Sequence, residues 1–357
     1  MANEEPTTYL SFCASLIKNA TNSKQANNFD ELMPLIKHAS FSWVDHSAND
    51  FTKESLEIAS KLGFSETLVN NLIKLSKDKH DRTTSRYEDL NSEMGLILPV
   101  IDVNNFDVKI DPLMILIKKD LILSIQSTKS LHLKQLYAYA ESIIKKSKKE
   151  DLPTLLLIRI IAKNNRFNFE QVSEIEDSSD KISRELIDNS ASRKILGVKI
   201  YHMKHALVKY LSGLWSTTSV LSSLDYGDAE VLSNNPKILE GITVQLEKVH
   251  TQISLAEDLS NVLASGLAVL QSIYNNQLQV INNRMTYMMG ILTVIGTALL
   301  VPNTIATILS QTNIFLFTPA DTGWYLSFLI FITVVATFIS WWWVKKIGLL
   351  PNNPEQP

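Results

Sequence analysis

Hydrophobic and polar positions divide this chain into two unlike parts. No Asp, Glu, Lys or Arg occurs from Met285 to Ala320, or again from Thr322 to Val344. Almost all the charge lies before Leu259. A membrane-spanning helix needs ~20 mostly apolar residues, and each charge-free run is long enough. The pattern predicts a first span over 285–309, a loop over 310–322, a second span over 323–344 and a short tail over 345–357.

The flanking charges orient these spans. Arg284 precedes the first span and Lys345 and Lys346 follow the second, whereas the loop carries Asp321 and no basic residue. Basic residues stay on the cytoplasmic side, so both termini are expected in the cytoplasm and the loop outside the cell membrane. Trp324 and Tyr325 at one end of the second span, and Trp341, Trp342 and Trp343 at the other, fit the aromatic belts of the two interfaces.

Before the spans the periodicity changes several times. Residues 41–44, Phe-Ser-Trp-Val, read as a strand, and Ser55 to Gly63 as an amphipathic helix with Leu56, Ile58, Ala59 and Leu62 at helical spacing. Met94 to Asp102 reads as a buried strand. Leu113–Ile117 and Leu121–Ile125, separated by Lys118, Lys119 and Asp120, form a hairpin signal. Helices are expected at Leu131–Lys148 and Pro153–Asn165. An α/β cytoplasmic domain over 1–169 follows. A helical hairpin region is expected over 170–235, since apolar residues recur every three or four positions from Glu170 to Leu224 and break at Asp225-Tyr226-Gly227-Asp228. Asn234-Asn235-Pro236 looks like a helix start, with proline in the first turn. No further proline occurs before Pro302, so one helix of ~100 Å is predicted at 1.5 Å per residue. Its part over 236–284 cannot be buried in one globular core and reads as a stalk. Leu259 to Asn283 is uncharged but rich in Ser, Asn and Gln, which fits either a helix bundle around a narrow wet space or an ordinary oligomer interface.

Composition narrows the function. The chain has 357 residues and a net charge of -3, which gives no basic face for nucleic acid. Cys13 is the single cysteine, so neither a disulfide framework nor a thiolate metal cluster can form within the chain. The acidic start, MANEEPTTYL, lacks the basic and apolar regions of a signal peptide.

In the first span the polar and small residues are ordered. Thr286, Met289, Thr293, Gly296, Leu300, Asn303, Thr307 and Ser310 follow at alternating steps of three and four, on one helical stripe. Polar groups facing lipid go unsatisfied, so the stripe must face other helices or water. Two readings fit: tight helix packing through small residues, or the lining of a pore built from several copies. Two spans cannot enclose a channel, so a pore requires an oligomer. Asn303 favours the pore, because a carboxamide oxygen can coordinate a hydrated cation.

Other constellations are weaker. Glu170, Glu174 and Asp177 share a helix face and form either a divalent-ion surface or a solvated acidic face. His202 and His205 share a face as zinc ligands sometimes do, without a third ligand. Asp45-His46 has no nucleophile motif beside it. No glycine-rich phosphate loop or Gly-x-Ser-x-Gly motif is present, so neither an enzyme nor nucleotide-driven pumping is expected, and no cofactor. Transport would be passive, driven by gradient and membrane potential, the latter contributing ~2.3 kcal/mol per charge per 100 mV.

These segments together resemble the CorA superfamily of divalent-cation channels. Residues 41–45, Phe-Ser-Trp-Val-Asp, resemble its early Trp-x-Asp strand. Arg86-Tyr87-Glu88-Asp89 with Leu96–Ile101 resembles the next strand, and Met114–Ser127 a family hairpin. Leu214-Trp215 and Val220-Leu221-Ser222-Ser223-Leu224 resemble a family helix. Met289-Gly290-Ile291-Leu292-Thr293-Val294-Ile295-Gly296-Thr297 is similar to its first membrane helix. The resemblance implies an α/β domain, a long helical stalk and two C-terminal spans, assembled as a homopentamer. First helices would line the pore, which matches the stripe at Thr286, Met289, Gly296, Leu300, Asn303 and Thr307. It further implies passage of hydrated divalent cations, Mg²⁺ foremost with Zn²⁺, Co²⁺ and Ni²⁺ as alternatives.

Two departures stand out. The Gly-Met-Asn triplet that ends the family's first helix is absent. Counting from the Ile291-Leu292-Thr293 match places Ser310-Gln311-Thr312 there. Counting from Pro302 places Gln311-Thr312-Asn313 there and keeps an asparagine; Gln311, Thr312 and Asn313 are therefore the expected outer-mouth residues. In the family, cytosolic Mg²⁺ bound by acidic residues between subunits holds the channel closed. Here the stalk beyond Gly241 offers only Glu247, Glu257 and Asp258, and the family's aspartate near the membrane stands as Asn275. The leading expectation is a pentameric divalent-cation channel. The alternative is a membrane-anchored scaffold or sensor that keeps the architecture without conducting.

Overall fold

A computed structural model describes residues 10–18, 20–76, 86–128, 132–188, 193–226, 229–311 and 322–346. The chain forms two compact units, Met1–Leu267 and Ala268–Pro357.

The first unit is built on one seven-stranded sheet of order β2-β1-β3-β7-β6-β5-β4. Its strands are β1 (Ser11–Ile17), β2 (Ala20–Ala26), β3 (Phe41–Ala48), β4 (Arg86–Asp89), β5 (Met94–Asn104), β6 (Asp107–Lys118) and β7 (Leu121–Ser127). Central β3 and β7 pair in parallel, and all other pairs are antiparallel. Ile122, Leu123 and Ile125 of β7 are all fully buried, as expected of a strand covered on both faces. The predicted hairpin is present, with Met114 opposite Ile125 and Lys118 opposite Leu121.

Helices α1 (Met33–Lys37), α2 (Phe51–Lys61) and α3 (Glu66–Ser76) cover one face. There Ile58, Leu68 and Leu72 pack with Val44, Met114, Leu123 and Ile125 in one apolar core. The start of α2 is fixed locally. Asp50 Oδ1 accepts from the Lys53 amide at 3.1 Å, and Glu54 Oε1 accepts from the Asp50 amide at 2.9 Å, satisfying donors the helix leaves open.

On the other face lie α4 (Lys134–Lys146), α5 (Leu152–Asp188) and α6 (Arg193–Asp225). The helix expected to end at Asn165 instead continues unbroken to Asp188, through the expected boundary between Phe169 and Glu170. Past Asn165, the side chains of Asn168 and Gln171, with Asn164 before it, are buried and bonded to the sheet. Beyond Ile97, opposite Arg86, the described residues give the outer edge of β5 no strand partner. Asn164 Nδ2 and Asn168 Nδ2 donate to the Pro99 carbonyl at 3.0 and 3.1 Å. Ile101 N–H donates to Asn168 Oδ1 at 2.9 Å, and Val103 N–H to Gln171 Oε1 at 2.8 Å. Thus α5 closes the outer edge of β5 beyond Ile97. Tyr210 of α6 donates to the Asn168 carbonyl, and Gln252 to the Asn165 carbonyl, each at 2.9 Å. Burial raises the Tyr210 hydroxyl above its ordinary range.

Gln252 belongs to α7 (Pro236–Gln311), which starts where the Asn-Asn-Pro signal placed it and carries Pro302 inside it rather than ending there. Proline removes one backbone bond from a helix, a loss that membrane helices tolerate. The last helix is α8 (Thr322–Lys346).

Candidate functional site

The second unit contains α7 from Ala268 onward and α8. Both α7 and α8 are long and apolar enough to cross a membrane. Because α7 is helical throughout, the three-four spacing becomes a real geometric register. Thr286, Met289, Thr293, Gly296, Leu300, Asn303, Thr307 and Ser310 lie along one line of it. Sequence inspection missed how far this line extends. Continued backward in the same steps it meets Asn282, Gln279, Asn275 and Ser272, without a charged residue. Such a seven-residue repeat drifts ~20° per heptad around a straight α-helix, the geometry of a left-handed bundle seam.

Side-chain bonding gives two threonines of the stripe one chemical sense. Thr293 Oγ1 donates to the Met289 carbonyl at 2.8 Å, and Thr307 Oγ1 to the Asn303 carbonyl at 2.8 Å. On the neighbouring column, Thr297 donates to the Thr293 carbonyl and Thr304 to the Leu300 carbonyl, both at 2.7 Å. A hydroxyl has one hydrogen and two lone pairs. With the hydrogen turned back into the helix, what remains on offer is oxygen acceptor capacity. Thr286, Met289, Thr293, Leu300, Asn303 and Thr307 are exposed in the single chain, and a Cβ built on Gly296 meets nothing within 4 Å. Gln311 ends α7, while Thr312 and Asn313 lie outside the described residues.

Helix α8 carries only a shorter run, Thr333, Thr337 and Ser340, and its two threonines also donate to the carbonyl four residues back, at 2.7 and 2.6 Å. Its ends are marked by aromatic residues: Trp324 stacks on Phe328 at 5.7 Å, and Lys345 and Lys346 lie 5.2 and 5.0 Å from the ring centres of Trp341 and Trp342. Cations held over aromatic rings suit a lipid–water boundary.

The soluble candidates separate. Among the described residues, no three His, Cys, Asp or Glu side chains come together as a metal set. Glu170 pairs with Arg166 at 3.2 Å, and Glu174 borders a small hollow with Val103, Phe106 and Ser178. Asp177 is exposed on the same helix. Asp45 and His46, adjacent in β3, point to opposite faces of the sheet, as successive strand residues must. Asp45 is fully buried and accepts from Ser124 Oγ, from Gln126 Nε2 at 2.8 Å and from Tyr137 of α4. Burial raises its carboxyl above the usual range, although these three donors and nearby His46 oppose the shift. Burial and Asp45 together push the Tyr137 hydroxyl up as well. His46 instead bridges Ser11 Oγ at 2.8 Å and Glu54 Oε2 at 2.9 Å. Both sets tie helices to the sheet.

The fold has known counterparts. Similar solved structures include the CorA magnesium transporter of Methanocaldococcus jannaschii, at 18% identity and TM-score 0.67, covering 96% of this chain and 99% of that one. The full-length CmaX protein matches at 14% identity and TM-score 0.62, covering 98% of this chain and 100% of that one. The ZntB cytoplasmic domain of Vibrio parahaemolyticus matches at 12% identity and TM-score 0.56, covering 76% and 100%. No curated protein matches the sequence. The family model of the CorA-like Mg2+ transporter protein matches residues 38–346, and the chain belongs to that family of transporters.

Proposed function

We propose that this chain transports divalent cations passively across the cell membrane, as a homopentamer whose α7 helices line the pore. The observation that carries the reading is the unbroken stripe from Ser272 to Ser310 on one helix. In a five-fold ring each position of the stripe repeats five times around the axis. A hydrated cation turns its water hydrogens outward, and the stripe presents carboxamide, hydroxyl and thioether acceptors toward them. The other membrane helix, α8, would form the outer ring, with both termini in the cytoplasm and Gln311, Thr312 and Asn313 at the outer mouth in place of the family triplet. Carboxamides bind divalent ions more weakly than carboxylates, because the hard cation loses a charged partner. Such a lining suits Mg²⁺ and also Zn²⁺, Co²⁺ and Ni²⁺, with modest discrimination among them.

Purified protein in liposomes, given an inward gradient of each ion in turn, should take up at least one of them. Asn303→Leu should lower that uptake about tenfold or more, a ~1.4 kcal/mol rise in the barrier, while keeping five copies by light scattering. Absence of uptake for all four ions would overturn the transport reading and leave a non-conducting scaffold. Unchanged uptake in Asn303→Leu would overturn the pore assignment.

A further inference from the structure

A second polar constellation lies far along the chain from the stripe. Strands β5 and β6 are joined by the two-residue turn Asn105-Phe106, with φ of 49° and 67°. Positive φ in both turn residues is the tightest hairpin geometry, and its second position ordinarily takes glycine. A phenylalanine there is strained, yet its half-buried ring forms one wall of a groove of ≈ 780 Å³. Ile195, Val198, Lys199, His202, His205 and Lys209 of α6 form the other wall. They recur at steps of three and four, so one helix face supplies them all. Tyr201 holds the imidazoles, lying parallel to His205 at 6.4 Å and edge-on to His202 at 5.8 Å.

Two histidines one turn apart suggest zinc, but the surroundings argue against a cation. Lys199 and Lys209 flank them, and among the described residues Asp107 is the single carboxylate of the lining. Lys199 is already engaged by Glu185 at 3.5 Å. Among the described residues no carboxylate pairs with Lys209, His202 or His205. A divalent ion here would meet two ammonium groups, whereas an anion would meet Lys209 and two imidazole N–H groups. The apolar part of the lining, Phe106, Ile195 and Val198, asks for a flat uncharged moiety beside that anion, and the volume falls in the ordinary range of small-molecule sites.

We propose that this groove binds a nucleoside polyphosphate, with phosphates on Lys209, His202 and His205 and the base against Phe106 and Val198. The assignment is independent of the pore. Titration calorimetry of the full-length protein in detergent, with EDTA present to exclude metal bridging, should show saturable binding of ATP. The double variant His202→Ala/Lys209→Ala should weaken it about tenfold or more. Lys209→Arg should retain it, and Lys181→Ala on α5 should not change it. Inorganic tripolyphosphate should bind more weakly than ATP. Absence of saturable binding up to ~5 mM ATP overturns the site, as does undiminished binding in the double variant. Tripolyphosphate binding as tightly as ATP overturns the base contact and with it the nucleoside assignment.

Discussion

Asn168→Ala tests whether α5 closes the outer edge of β5 where its pairing with β4 ends. Asn168 is fully buried, accepts from Ile101 N–H at 2.9 Å and donates to the Pro99 carbonyl at 3.1 Å. The substitution strands the Ile101 amide without water, which costs ~1–3 kcal/mol. The Pro99 carbonyl keeps Asn164 at 3.0 Å, so its loss is an ordinary bond of ~0.5–1.5 kcal/mol. The sum, ~2–4 kcal/mol, is a large fraction of a typical domain's ~5–15 kcal/mol. Hydrogen exchange of full-length protein resolves the effect locally. Peptides from β5 should exchange ~30- to 1,000-fold faster, at ~1.4 kcal/mol per tenfold. Peptides from β3 should change less. Gln171→Ala, which removes a single bond at the rim of the same contact, should give a smaller effect. Wild-type exchange in Asn168→Ala, or an effect no larger than that of Gln171→Ala, would refute the argument.

Two carboxyls, buried Asp45 and partly exposed Glu54, give opposite pH signatures. The Asp45 carboxyl is raised by burial, so the folded state holds its proton more tightly than the unfolded one. Stability from this group is present below the unfolded value of ~3.9 and falls as pH rises toward the raised folded value; Asp45→Asn should flatten that decline in melting temperatures from pH 4 to 8. An unaltered profile counts against the burial argument. For Glu54, partial burial opposes ionisation but the Asp50 amide and His46 outweigh it, leaving the carboxyl below its ordinary range. Its stabilisation is present above ~4.3 and lost as pH falls through the lower folded value. Glu54→Gln should therefore melt lower at neutral pH and lose less on acidification; equal acid slopes would count against it.

Much of this architecture could be read from spacing, and the failures share one cause. The β6–β7 hairpin was legible because apolar β-formers flank Lys118-Lys119-Asp120, and α7 because Asn235-Pro236 opens a long run with no proline. Strands β1 and β2 were missed: β2 is an edge strand, Ala-Thr-Asn-Ser-Lys-Gln-Ala, mostly exposed and without apolar alternation. The continuity of α5 was missed because Asn164, Asn168 and Gln171 look solvent-facing, and only the outer edge of β5 beyond Ile97 explains their burial. The Asp45 site left a faint trace, since Ser124 and Gln126 are polar at alternate positions of an otherwise apolar strand. The stripe in α7 was legible because a helical period needs no partner to define it, although what the stripe faces depends on copies the sequence does not contain.

The threonines of α7 carry a consequence for how a pore without acid residues would choose its ions. A fixed negative ring attracts cations by charge, and dissolved salt screens that attraction over ~10 Å at 0.1 M. Hydroxyls such as those of Thr293 and Thr307, with their hydrogens folded back toward the backbone, act by dipole orientation instead. At those hydroxyls chloride would find lone pairs in place of the donors it needs, which would leave only the carboxamide N–H groups of the stripe to hold it at contact range. The ratio of cation to anion passage in this protein should therefore change little between dilute and concentrated salt.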